Sequence, residues 1–161
     1  MRVVAIVGHQ GSGKTTLIER LIPAITARSL SVSTIKHTHH HQVELDTPGK
    51  DSYRHRTAGA SEVIVASDSG WARIAASAKP ASLPTLLGQL RPVDVVLVEG
   101  FKQLEWLKRV EVFRGTGEPL ALRDPGIAAV AVPAGVGLAG YAGIKLPLDD
   151  IAAILEFVLT A

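Results

Sequence analysis

The stretch GHQGSGKT, Gly8 to Thr15, matches the pattern G-x-x-x-x-G-K-[ST] in full. It constrains the fold because that pattern works only between a strand and a helix, and both neighbours are present. Residues 2–7, RVVAIV, are short and β-branched and predict a buried strand. Residues 14–28 carry Leu17, Ile18, Leu21, Ile22 and Ile25 at helical spacing, with Pro23 expected to kink or restart the helix. Gly8, Gly11 and Gly13 permit backbone torsions that other residues resist, so successive N–H groups can turn inward as an anion nest. The helix N-terminus adds partial positive charge. Lys14 is expected to reach the β and γ phosphates of a nucleotide, and Thr15 to offer its hydroxyl to Mg²⁺.

A phosphate loop of this kind needs an acidic partner for the metal. PVDVVLVEG (92–100) is the strongest hydrophobic strand signal in the chain and has Asp94 and Glu99 at its two ends. Five strand residues span roughly 16 Å, and ligands of open α/β sheets sit at the carboxyl ends of the strands. Glu99 is therefore the candidate and Asp94 is not. Gly100 follows and lets the backbone pass close to phosphates. Lys14 and Glu99 are thus the residues expected to carry the chemistry.

A second strand, LSVSTIK (30–36), ends on the same side, so His37 opens a loop at the edge of the site. Five of the six histidines lie in residues 35–56, and His37, His39, His40 and His41 fall within five positions. Beside phosphates they can donate hydrogen bonds to an anionic second substrate or serve a partner. A zinc or nickel site is the alternative, since neutral imidazole binds both. Asp46 either reaches Mg²⁺, directly or through water, or starts the DTPG turn. Asp51 is read as the N-cap of a short helix ending near Ala58-Gly59. Arg54 and Arg56 lie two apart on it, so only one of them can face a ligand.

SEVIVAS (61–67) and WARIAA (71–76) predict two strands joined by a DSG turn, and a short helix falls within 82–90. KRVEVFR (108–114) and IAAVAVP (127–133) predict two more strands. LPLDDIAAILEFVLT closes the chain as an amphipathic helix capped by Asp149 or Asp150. Alternating strands and helices imply an α/β sheet, mostly parallel, with the hairpin as an antiparallel portion. At 161 residues, 47% of them hydrophobic, one compact domain over residues 1–161 is expected. No cysteine is present, which removes disulfides and thiolate chemistry and suits a cytoplasmic compartment. A net charge of +2 gives no case for nucleic acid, and no apolar run approaches the ~20 residues that span a bilayer.

Four segments, GHQGSGKTTLIERLIPAI, TIKHTHHH, DTPGKDSYRHRTAGA and DVVLVEGFK, stand in an order and spacing that resemble the molybdopterin-guanine dinucleotide biosynthesis protein B (MobB) family. The resemblance runs from residue 2 to about 131 and touches the final helix. It implies a homodimeric P-loop NTPase fold that binds GTP and Mg²⁺, hydrolyses GTP weakly and assists a guanylyltransferase that joins GMP to molybdopterin. Carried over, nucleotide and Mg²⁺ contacts fall on Gly8, His9, Gln10, Gly11, Ser12, Gly13, Lys14, Thr15, Thr16 and Glu99. Further candidate contacts fall on His37, Asp46, Asp51, Arg54 and Lys102.

The chain contains no asparagine, so the N-K-x-D device that reads guanine in many GTPases is excluded. Guanine preference must use backbone groups or another acid. Where the family often ends a strand in an A-S-D-like stretch, this chain has Ala131-Val132-Pro133 and a glycine-rich loop. Rival readings are a small-molecule kinase, which lacks its arginine-rich lid here, a nickel or zinc insertion GTPase, which lacks the cysteine often used there, and an adaptor that binds nucleotide without turnover.

Overall fold

The computed structural model describes residues 1–38, 46–75 and 79–160. The chain forms two compact units, Met1–His37 with Leu86–Ala161, and Thr38–Thr85.

The larger unit is built on a six-stranded sheet. Its strands are β1 (Arg2–Val7), β2 (Val32–Lys36), β5 (Val95–Glu99), β6 (Lys108–Val112), β7 (Ile127–Val132) and β8 (Ile144–Pro147). They lie in the order β2-β5-β1-β6-β7-β8, and every pairing is parallel. Helix α1 (Lys14–Thr26) and helix α4 (Ile151–Leu159) pack against one another and share a core with the sheet. Val4, Ile6, Val95, Leu97, Val110 and Val112 meet Leu17, Leu21, Ile25, Ile154 and Val158 there. The opposite face of the central strands is closed as well: Ala5, Val96, Val98 and Val130 are fully buried. Burial on both faces is why VVLV in β5 is continuously apolar rather than alternating.

Two local expectations need correction. Pro23 neither ends nor restarts α1, which runs unbroken from Lys14 to Thr26. The segment LPLDDIAAILEFVLT is not helical throughout: its first two residues finish the strand β8, Ile144–Pro147, which was not expected, while the helix starts at Ile151 under Asp150, one of the two expected caps, which accepts from Ala153 N at 3.0 Å. Pro147 is tolerated because β8 is the sheet edge, where a missing N–H breaks no ladder.

The smaller unit holds α2 (Asp51–Thr57) and an antiparallel hairpin of β3 (Glu62–Ser67) and β4 (Gly70–Ala75). The short helix α3 (Leu83–Leu87) carries the chain back into the larger unit. Among the described residues no helix is long and apolar enough to cross a membrane.

Candidate functional site

β1 delivers the chain into the loop Gly8–Gly13, and α1 begins at Lys14. Lys14 Nζ donates to the carbonyls of Gly8 and His9 at 3.1 and 2.7 Å, which folds its amine back over the loop. Burial pushes the Lys14 pKa below the usual lysine range. Glu99 opposes that shift, and the positive charges of Lys36 and Lys102 add to it. Phosphate oxygens would relieve that deficit of negative charge.

The parallel register places the end of β5 beside the end of β1, with Ile6 opposite Glu99. Thr15 Oγ1 lies 3.1 Å from both carboxylate oxygens of Glu99 and donates to them. Lys36, at the end of β2, sits 3.6 Å from Glu99 Oε1. A hydroxyl and a carboxylate converging at the mouth of an anion nest form the oxygen donor set that Mg²⁺ takes. Asp94, before the start of β5, has different work. Its carboxylate accepts from Ser31 N and Oγ at 2.8 and 2.6 Å and staples β2 to β5, and those bonds hold its pKa below the usual carboxylate range.

His37 and Gly100 meet at the same mouth. Gly100 has φ +96°, and a Cβ there would lie 3.1 Å from His37 Cβ, so only glycine lets the two strand ends pass. The His37 ring stacks on Phe101, with centroids 4.6 Å apart and planes tilted by 50°. Phe101 itself has φ +52°, a conformation that costs a non-glycine residue on the order of 1 kcal/mol or more. Lys102 follows, exposed, its carbonyl held by Arg109 Nη1 at 2.5 Å. The larger unit thus brings together Gly8–Thr16, Lys36, His37, Glu99, Gly100 and Lys102.

Asp46, Asp51 and Arg54 belong to the smaller unit. Asp46 Oδ1 accepts from Ser52 Oγ at 2.8 Å, while its buried Oδ2 has no partner among the described residues. Asp51 is the first residue of α2 rather than its cap. Lys50 holds the cap position, and Asp51 lies 3.5 Å from Arg54 instead. Arg56 turns its guanidinium over the Tyr53 ring, 5.2 Å from the centroid. Arg54 lines an open hollow of about 510 Å³ with Asp51 and His55. His39, His40 and His41 lie outside the described residues, among which no three histidine, aspartate or glutamate side chains gather as a metal site.

Sequence reasoning missed Arg114. It follows β6, the other neighbour of β1, and its Nε donates to Ser12 O at 2.9 Å. Its guanidinium also covers Gly13, where a Cβ would lie 3.0 Å from Nε. His9 makes a second tie, donating from Nε2 to Glu118 O at 2.9 Å. Both ties lead to a cleft of about 730 Å³ between the segments 113–119 and 136–139. A basic residue closing the strand FR was the only trace of this in the sequence, and it signifies nothing until β6 is known to lie beside β1.

Residues 3–133 match the family model described as molybdopterin guanine dinucleotide synthesis protein B. A molybdopterin-guanine dinucleotide biosynthesis adapter protein of Escherichia coli (strain K12) is 38% identical over 166 residues, covering 98% of this chain and 91% of that protein. The one of Haemophilus influenzae is 50% identical over 103 residues, covering 63% of this chain and 57% of that protein, so this match spans little more than half its length. A crystal structure of Bacillus subtilis MobB superimposes with a TM-score of 0.79 at 25% identity, covering 99% of this chain and 97% of that one.

Proposed function

The chain belongs to the molybdopterin guanine dinucleotide synthesis protein B family, and from that premise we propose that it is a GTP-binding adapter in the making of the guanine dinucleotide form of the molybdenum cofactor. One observation carries the nucleotide reading: Thr15 Oγ1 and both Glu99 oxygens converge at 3.1 Å beside a complete phosphate loop. Thr15 and Glu99 would hold Mg²⁺, which would supply neutralisation of the phosphate charge when bound. Lys14 moves from its two loop carbonyls to phosphate oxygens. Asp46 belongs to the smaller unit, where its Oδ1 accepts from Ser52 Oγ.

Turnover is expected to be slow. His9 is engaged with the Glu118 carbonyl, so it is not poised to activate water. The role is therefore accessory: a nucleotide-dependent helper of the guanylyltransferase that joins GMP to molybdopterin. Lys36, His37 and Lys102 form a basic rim suited to the anionic pterin or to an acidic surface of that enzyme. The chain acts as a homodimer in this reading, and the exposed apolar side chains of the hairpin, Ile64, Val65 and Trp71, support an association surface.

Calorimetric titration of GTP with Mg²⁺ tests the reading. Lys14→Ala is expected to abolish triphosphate binding in a folded protein, and Glu99→Gln to weaken the Mg²⁺-dependent part by tenfold or more. Asp94→Asn should leave both unchanged, since Asp94 serves the other end of the sheet. Wild-type affinity in folded Lys14→Ala would sink the assignment.

A further inference from the structure

The cleft beside the phosphate loop has no role in the phosphate and metal chemistry above. We propose that it holds the purine base of the nucleotide and that the Glu118 carboxylate selects guanine by accepting from its N1–H and 2-amino groups. The inference rests on the nucleotide reading of the phosphate loop and extends it to the other end of the ligand.

Position is the first argument. Arg114 Nε to Ser12 O, at 2.9 Å, and His9 Nε2 to Glu118 O, at 2.9 Å, bind one cleft wall to the loop that would take the phosphates. A ligand anchored on Gly8–Thr15 therefore has this cavity as its continuation. The second argument is the lining. Phe113, Pro119 and Val136 present apolar surface, Arg114 a planar guanidinium, and Glu118 is the one acidic residue among the described lining, in a volume of about 730 Å³. Apolar walls with few polar groups at a small-ligand volume are what binding pockets share.

The wall is also braced from behind. Glu111 is fully buried on β6, and its two oxygens accept from Leu120 N and Ala121 N at 2.8 and 2.9 Å. That fixes the turn following Pro119 and so the backbone that carries Glu118.

Selectivity is the third argument. With no asparagine in the chain the N-K-x-D device is absent, so guanine's donors must be met by another acid or by backbone carbonyls. An ionised carboxylate accepts only, through two oxygens. Guanine presents two adjacent donors, N1–H and the 2-amino group. Adenine presents a lone pair at N1, which a carboxylate repels. Glu118 pairs at rest with Arg123, an exposed partner whose side chain is 79% accessible. Exposed pairs of this kind contribute little in water, so the base can take Arg123's place.

The test measures binding of GTP, ITP, ATP and inorganic tripolyphosphate to the full chain with Mg²⁺. Wild type should prefer GTP to ATP, with ITP between them because it lacks the 2-amino group. Glu118→Gln should weaken GTP by tenfold or more, equalise GTP and ITP, and leave tripolyphosphate unchanged. Gly137 lines the cleft, and a Cβ built there meets nothing within 4 Å. Gly137→Leu should therefore obstruct the cleft, weakening GTP and ATP alike while sparing tripolyphosphate. A wild-type GTP-to-ATP ratio in Glu118→Gln, or wild-type GTP affinity in Gly137→Leu, would overturn the proposal while tripolyphosphate binding upholds the phosphate loop. A wild type that binds neither tripolyphosphate nor GTP overturns both.

Discussion

Lys14 holds a positive charge where its surroundings resist one. Burial is the main cause, Glu99 opposes it, and Lys36 and Lys102 add repulsion. A depressed lysine pKa has a consequence for binding. Below the free-state pKa the amine is charged before and after a phosphate arrives, and affinity is at its maximum. Above it, binding must first put a proton on Lys14, because phosphate oxygens raise the pKa again. Affinity for a triphosphate should therefore fall as pH rises, by up to about tenfold per pH unit, beginning below the ordinary lysine range. Titration from pH 7 upward in buffers of different ionisation enthalpy would report the proton uptake directly. A flat affinity with no uptake would mean that Lys14 does not meet the anion.

At the scale of elements, α1 and β6 each contain something their type disfavours. Pro23 removes an N–H from the interior of α1 and frees the Glu19 carbonyl. The helix continues because Glu19 and Pro23 are exposed, so water can meet that carbonyl, while Leu21 and Ile25 are fully buried and hold the turns on either side. Alanine at 23 would restore the bond and a helix propensity better by about 3 kcal/mol, against about 1 kcal/mol lost to a more flexible unfolded chain. Pro23→Ala is thus expected to raise stability by about 2 kcal/mol in chemical denaturation, and a loss of stability would show that the proline ring is packed rather than tolerated. β6 carries Arg109 and Glu111 into the core. Each is matched to groups of the segment that follows: Arg109 to Asp124 at 2.6 and 2.9 Å, Glu111 to two backbone N–H groups. Read alone, R-V-E-V looks like a strand with one solvated face. Its charged residues are instead braces for the loops at the site.

At the scale of the whole molecule the hairpin bears on association. Two strands on their own are marginal in water. The β3–β4 hairpin nonetheless exposes Ile64, Val65 and Trp71 at 60, 47 and 61%. Register puts Ile64 opposite Arg73 and Trp71 opposite Ala66, so Ile64 and Trp71 are diagonal neighbours on one face. An apolar pair of that size on a short hairpin is suited to burial against a second copy. Ile64→Lys with Trp71→Glu should convert a dimer to a monomer in light scattering coupled to gel filtration. A double variant that stays dimeric would place the interface elsewhere.

The glycine-rich loop, the strand before it, the helix after it and the end of β5 on which Glu99 rather than Asp94 lies were legible in the chain, because each depends on short-range chemistry. Glycine torsions, helical spacing and the direction of a strand are properties of contiguous residues. The staple at Asp94, the braces in β6 and the strand at Ile144–Pro147 were not, since each is defined by a partner distant in sequence. The cleft is the clearest case. His9, Arg114, Glu118 and Gly137 are scattered over more than a hundred positions, and they meet because β6 pairs with β1 while β7 and β8 follow outward. A sequence carries the ends of its strands, but their lateral order follows from how the whole sheet buries its two faces, and only the tertiary structure decides it.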